Sequence, residues 1–343
     1  MRREARKFVK QEFFLGRRRV LRGLGLAGGA MLAELATPWR FLALGQARAV
    51  GAGSELGKSV FRVGEFRKIY DPSFVRADGK KESWYINDHT FIRAADGQWH
   101  LFGITHKEPA NPMHERFLAH ATAPDLFGPW TKQAPLLQSD KKAHEIVTWA
   151  PYVLRHDGMY WIYYCAGGGR DGTHYRIHLA TSKDLWNWTR HPANPMLMDG
   201  YKSRDPMVMK FEDGWLLYYV ATSTPRGGNH TVKVVSGTDL SHWSNPREVY
   251  RDAETGTDGG PTESPFVVVH DGKYYLFVCT NHDYNETAVY ESDTPFHWDA
   301  VNLVGKFPAH AAEVIETPEG KWYVSRAGWG EGGVYLAEFT WER

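Results

Sequence analysis

The sequence predicts an all-β fold, a five-bladed β-propeller, and three observations predict it. The first is a hairpin turn of constant chemistry that recurs five times: Asp96-Gly97, Asp157-Gly158, Asp213-Gly214, Asp271-Gly272 and Glu319-Gly320, spaced 61, 56, 58 and 48 residues apart. An acidic residue and Gly between β-branched and aromatic runs signal a hairpin. Such runs include Pro206-Met207-Val208-Met209 before the third turn and Lys273-Tyr274-Tyr275-Leu276-Phe277 after the fourth. The second observation is a landmark that follows the hairpins: Asp125-Leu126 leads to Trp130, Asp184-Leu185 to Trp188, Asp239-Leu240 to Trp243, and Asp293 to Trp298. Each repeat thus holds a hairpin, a third strand such as Ile177 to Thr181, and a turn into a fourth, which is the signature of a propeller blade. The third observation concerns closure. The last repeat reaches Arg343 without a fourth strand, and residues 59–70 stand ahead of the first repeat, ready to supply it.

Bulk properties agree with one such domain. The chain of 343 residues is 42% hydrophobic and 24% charged, which suits a globular core. A formal net charge of +1 gives no reason to expect a nucleic-acid or membrane-surface partner. The 14 Trp residues mostly serve the core, although aromatic faces also make sugar platforms. Cys165 and Cys279 occupy the same place in non-adjacent repeats, so both are expected as buried thiols rather than a bridge. Residues 1–49 read as an export segment ahead of a single domain over 50–343. Arg17-Arg18-Arg19-Val20-Leu21-Arg22 precedes a Gly/Ala/Leu stretch, Gly23 to Leu35, too short to span a bilayer, and Ala47-Arg48-Ala49 offers small residues for cleavage. The arginine pair resembles a twin-arginine signal, which implies a periplasmic or secreted protein. A basic N-terminal tail is the alternative. No other stretch is long and apolar enough to be transmembrane.

Counting back from the turns points to a site. Asp88, Asp205 and Glu263 each lie eight residues before the acidic residue of their turn, and the same count reaches Trp149 and Ala311 in the other two repeats. Equal positions in a repeat are related by the propeller's rotation, so three carboxylates are expected to converge where the inner strands begin. A lone Asp at a strand start ordinarily caps a turn, and a trio could also bind Ca²⁺. Convergent acids raise the pKa of at least one of their number and suit acid–base chemistry.

The contexts of these acids carry a resemblance. Asn87-Asp88, Arg204-Asp205-Pro206 and Glu263-Ser264-Pro265 resemble the three acidic motifs of the five-bladed glycoside hydrolases of families 43, 32 and 68. Trp149-Ala150-Pro151-Tyr152-Val153 is similar to family 43, whereas Trp84 through Asp88 and Arg204-Asp205-Pro206 look more like family 32. His89 stands where those families favour Pro, and no second domain follows the propeller, which favours the family 43-like reading. The resemblance implies hydrolysis of a terminal glycosyl residue, furanosyl before pyranosyl, from an oligosaccharide or polysaccharide fragment. Asp88 would be general base or nucleophile, Glu263 general acid, and Asp205 a residue that holds the sugar. Trp84, Asn87, His89, His106, Trp149 and Arg204 are the expected substrate-binding residues. The Gly-rich stretches Gly167-Gly168-Gly169-Arg170 and Pro225-Arg226-Gly227-Gly228-Asn229 are read as blade-edge loops that could form the rim. No cofactor is required, while His310 could face a central ion such as structural Ca²⁺. A retaining β-fructofuranosidase of the family 32 kind and a non-catalytic carbohydrate-binding propeller remain as alternatives.

Overall fold

The computed structural model describes residues 59–167, 174–200, 202–256, 261–328 and 331–342. The expected export segment and Gly168-Gly169-Arg170 lie outside these residues.

The described chain is a β-propeller of five blades. It opens with β1 (Phe61–Val63), β2 (Arg67–Tyr70) and a small hairpin of β3 (Phe74–Val75) and β4 (Lys81–Glu82). Blade one is β5 (Trp84–Arg93), β6 (Trp99–Lys107), β7 (Leu118–Ala123) and β8 (Thr131–Lys132). Blade two is β9 (Val147–His156), β10 (Met159–Gly167), β11 (Tyr175–Ser182) and β12 (Thr189–Arg190). Blade three is β13 (Arg204–Phe211), β14 (Gly214–Thr224), β15 (Gly227–Gly237) and β16 (Arg247–Thr255). Blade four is β17 (Thr262–His270), β18 (Lys273–Thr280), β19 (Thr287–Ser292) and β20 (Leu303–Phe307). Blade five is β21 (Val314–Glu316), β22 (Trp322–Ala327) and β23 (Val334–Trp341), completed by β1 and β2, both antiparallel to β23. The ring therefore closes as the sequence implied, by β1 and β2 pairing with β23. Gly227-Gly228-Asn229, expected in a loop, begins β15 instead.

Side chains alternate across a strand, so each blade sends its two faces into two different gaps. Five apolar clusters fill those gaps. Leu101 faces Leu336 of blade five, whereas its neighbour Phe102 packs with Ile162 and Tyr164 of blade two. The remaining gaps are filled in the same way between blades two and three, three and four, and four and five.

The Asp-Leu-to-Trp landmark proves to be the connector into the outer strand. The Asp184 carboxylate accepts the backbone N–H groups of Trp186 and Asn187, and Asp239 does the same for Ser241 and His242. These bonds hold both acids well below the usual carboxylate range. Leu185 and Leu240 are buried beneath these turns. Second-strand tyrosines tie the connectors of blades three and four to the preceding blade. Tyr163 donates to the Leu240 carbonyl at 2.5 Å, and Tyr218 donates to the Pro295 carbonyl at 2.8 Å.

Closure depends on Phe61, which stacks on Phe339 with centroids 5.2 Å apart and meets Phe307 edge-on at 5.9 Å. Gly305 lies against this ring, where a Cβ would come within 2.6 Å of it. Removing the ring should open a cavity at the seam. Phe61→Ala is expected to cost about 3–5 kcal/mol of unfolding free energy in a denaturant titration. Arg62→Ala, next along the same strand and solvent-exposed, should stay within about 0.5 kcal/mol of the parent.

Candidate active site

The inner strands break their ladders at the end that opens on the axis. Pairing skips Asn87-Asp88 in β5, Ala150-Pro151 in β9, Asp205-Pro206 in β13 and Ser264-Pro265 in β17. These are β-bulges, which bend a strand and re-aim its side chains. Ala150, Asp205, Ser264 and Ala311 there adopt left-handed backbone, with φ between 45° and 56°. Proline suits the following position because it has no N–H to leave unpaired. In β5, where His89 replaces Pro, the ladder resumes at His89 itself, opposite Gly103.

Every blade lines a central cavity of about 30 Å³, and the lining begins in each with Asp88, Ala150, Asp205, Ser264 or Ala311 and continues through the one or two residues that follow. The residues that precede these, Asn87, Trp149, Arg204, Glu263 and His310, are not part of the lining. The expected single register is therefore corrected. Asp88 and Asp205 share the cavity-lining slot, whereas Glu263 and Trp149 sit one residue earlier. The cause is the turns. Blades two and four turn on Asp157-Gly158 and Asp271-Gly272, but blade three turns on Glu212-Asp213, with Phe211 opposite Gly214. Counting from Asp213 therefore starts one residue late.

Convergence nevertheless holds, and Ser264 organises it. Its hydroxyl donates to Asp88 Oδ1 at 2.6 Å, and its backbone N–H donates to Asp205 Oδ2 at 3.0 Å. Arg204 donates to Glu263 Oε1 through Nη1, which also lies 4.0 Å from Asp205 Oδ2. The other Arg204 nitrogens, Nε and Nη2, are buried without a protein acceptor. His310 Nε2 stands 3.7 Å from Asp88 Oδ2, with the Tyr284 ring 5.4 Å from its own. Burial pushes the Asp88 carboxyl up, and Asp205 adds to this, while His310 and the Ser264 hydroxyl oppose it. Burial also raises Asp205, against the pull of Arg204.

The expected binding residues divide by location. Asn87 is buried, and its carbonyl bonds His89 Nδ1 at 3.0 Å. His89 touches the cavity but is buried, bonded through Nε2 to Ser325 Oγ at 2.8 Å, and pushed down to about 4 by burial, so it is neutral. Trp149 stacks on Tyr175 at 4.9 Å beside the acids. Trp84 and His106 lie 6.1 Å apart at the leading edge of blade one and do not line the cavity. Among the described residues no three His, Cys, Asp or Glu side chains are arranged to hold a metal ion. Ca²⁺ takes six to eight oxygen ligands, so this donor set does not fit it directly.

Sequence reading missed two carboxyls. Glu115, on the β6–β7 connection, is buried, accepts the Tyr85 hydroxyl at 2.7 Å and lies against the Trp149 indole. Burial and the nearby Asp88 charge push it up to about 8. Glu313 lines the cavity two residues beyond Ala311, and burial raises it as well. Neither belongs to a repeated motif, so no spacing could have drawn attention to them.

The fold and this cluster define a class: five-bladed propellers with carboxylates gathered at one mouth of the axis. Residues 80–265 match the family model described as glycosyl hydrolases family 32 N-terminal domain, and the chain belongs to that family. It is also 28% identical over 131 residues to "Probable arabinan endo-1,5-alpha-L-arabinosidase B" of Aspergillus fumigatus, covering 36% of this chain and 27% of that one. The matched segment thus spans about a quarter of this curated relative. Among solved structures, a thermostable family 43 glycoside hydrolase aligns with a TM-score of 0.58 at 18% identity, over 75% of this chain and 89% of that one. A family 43 β-xylosidase/α-arabinofuranosidase from a compost microbial metagenome gives 0.57 at 17% identity, over 82% and 94%. A Bombyx mori family 32 β-fructofuranosidase gives 0.55 at 18% identity, over 76% and 61%. At these identities the likeness is one of fold.

The Glu115 carboxyl makes a pH-dependent contribution whose sign is fixed. The folded protein keeps a proton there that the unfolded chain releases above about 4.5, so stability is lost as pH rises from 4.5 to about 8. Glu115→Gln removes that titration. The melting temperature of the variant minus that of the parent should climb across this window, and parallel curves would show that Glu115 ionises as freely in the fold as outside it.

Proposed function

We propose that this protein is a glycoside hydrolase that releases terminal furanosyl residues, arabinofuranosyl foremost, by carboxylate acid–base catalysis at the mouth of the axis. One observation carries the reading: Ser264 holds Asp88 and Asp205 together while Glu263 precedes it on the same bulge. Glycoside hydrolysis needs two such carboxyls with distinct tasks. Asp88 acts as base toward water, or as nucleophile if configuration is retained. Its ionised form is favoured by the Ser264 hydroxyl and by His310. Glu263 is the general acid. Asp205 binds sugar hydroxyls, as do the Arg204 N–H groups that lack a protein acceptor. Trp149 offers an aromatic wall on the blade-two side. The reaction draws on these side chains and calls for no cofactor.

The β-fructofuranosidase reading has its own support, since the matched family 32 region spans all three acids. Assays on 4-nitrophenyl α-L-arabinofuranoside and on sucrose separate the two, and the anomer first released, followed by NMR, reports inversion or retention. Asp88→Asn and Glu263→Gln are each expected to lower kcat by about 10²–10⁴-fold or more, with sugar binding retained. Folded protein that binds sugars but hydrolyses neither substrate would make this a binding propeller. Parent rates in both variants would remove these acids from the chemistry.

We infer further that residues 1–49 direct export by the twin-arginine route to the periplasm or medium. Arg17-Arg18 and the Gly23–Leu35 stretch support it. Replacing Arg17 and Arg18 with Lys should hold the protein in the cytoplasmic fraction, and unchanged export would overturn the assignment.

A further inference from the structure

A second concavity lies between the β3–β4 hairpin and the far end of β6. It has a volume of about 490 Å³, within the range of roughly 300–1,000 Å³ usual for small-ligand sites. Its charged lining is Arg76, Lys80, Lys81 and Lys107 against Glu82 and Glu108. Glu82 is already shared: it lies 3.8 Å from Arg76 and 3.3 Å from Lys107, and it accepts the Trp84 indole N–H at 2.9 Å. Four cations thus line the cleft against two carboxyls, and burial raises that of Glu108. Among the described residues no ion pair engages Lys80 or Lys81, and both are exposed.

This cleft shares a face of the propeller with the acids. Trp84 opens β5 opposite Lys107, and Asp88 follows four residues later, on the order of 13 Å away at about 3.3 Å per residue. Trp84 and Asp88 are half-buried, with three buried residues between them. The Trp84 ring is flanked by Phe74 at 6.5 Å and Phe117 at 6.2 Å, with Lys132 Nζ 5.4 Å from it. The Trp84 ring therefore stands next to the cationic cleft on the strand that carries Asp88.

We propose that this cleft is a subsite for an anionic sugar, borne by the same glycan chain whose uncharged terminal sugar enters the axial mouth. The carboxylates of Asp88 and Asp205 repel an anionic ring at the axis, so a charged glycan has to place its charge elsewhere. The cleft gives it a cationic wall a few sugar residues away. The inference rests on the glycosidase reading for where cleavage occurs, and not for the binding itself.

The test uses calorimetry on the full chain carrying Asp88→Asn, which prevents turnover. The probes are a short oligogalacturonate, a sulfated oligosaccharide of equal length and a neutral arabino-oligosaccharide. Lys80→Gln with Lys81→Gln should weaken the best anionic probe by about 3- to 10-fold at low salt, as expected for two exposed, salt-screened charges, and leave the neutral probe unchanged. Added salt should produce the same loss in the parent. Tighter binding of the sulfated probe would identify sulfate, rather than carboxylate, as the recognised charge. The proposal is overturned if anionic probes bind no tighter than the neutral one, or if the lysine variant binds them as the parent does. Failure of the furanoside assays would sink the glycosidase reading and leave these affinities to be judged separately.

Discussion

A strand directs its side chains alternately to its two faces, and in this propeller both faces of an inner strand are gaps filled by core. Aiming a side chain at the axis therefore requires a break in the ladder. The chain makes that break with bulges at Asn87-Asp88, Ala150-Pro151, Asp205-Pro206 and Ser264-Pro265. Non-glycine residues in left-handed backbone cost on the order of 1–3 kcal/mol each. Four such residues at the axis, Ala150, Asp205, Ser264 and Ala311, persist because two flanking blades and a following ladder fix them. The site is thus a consequence of how the strands terminate, and the rigid blades behind it keep the strained residues in place.

Ser264 shows what the bulge accomplishes. In a regular strand its hydroxyl and its amide could not serve two separate carboxylates toward the axis. At φ 51° the hydroxyl meets Asp88 and the amide meets Asp205. Glu263, one residue earlier, turns to Arg204 of the neighbouring blade. Two acids of blades one and three are thereby linked to a single residue of blade four. Charged groups so deeply buried need partners of this kind, since a carboxylate without them would take up a proton.

Much of this was legible in the sequence, and the reasons differ by element. The blades were legible because turn chemistry and the Asp-Leu-to-Trp connector recur, and because Asp184 and Asp239 perform the same capping task in successive repeats. The acids were legible as a group, but their register was not. A one-residue slip between Asp271-Gly272 and Glu212-Asp213 is invisible when both blades carry an Asp-Gly pair. Trp84 and His106 are close to the acids along the strand yet lie at the edge of the blade, because four residues of extended chain carry a side chain well away from the axis. Glu115 escaped notice because it lies on a connection whose path the blade period does not constrain.

The unforeseen acids bear on how much charge the mouth can hold. Asp205, Glu115 and Glu313 all act electrostatically on Asp88 or are acted on by it. Arg204 is buried beside two of the acids, Glu263 and Asp205, and stabilises negative charge on its own side of the axis. Burial pushes Glu115 up to about 8, which keeps it protonated at neutral pH, and burial raises Glu313 as well. A protonated carboxyl donates one hydrogen bond and accepts others without adding charge. Glu115 therefore adds a polar group near Asp88, whose own ionisation is opposed by burial and Asp205 and favoured by His310 and Ser264. Arg204 thus shares the negative charge of Glu263 and Asp205, while Ser264 and His310 favour the ionised form of Asp88.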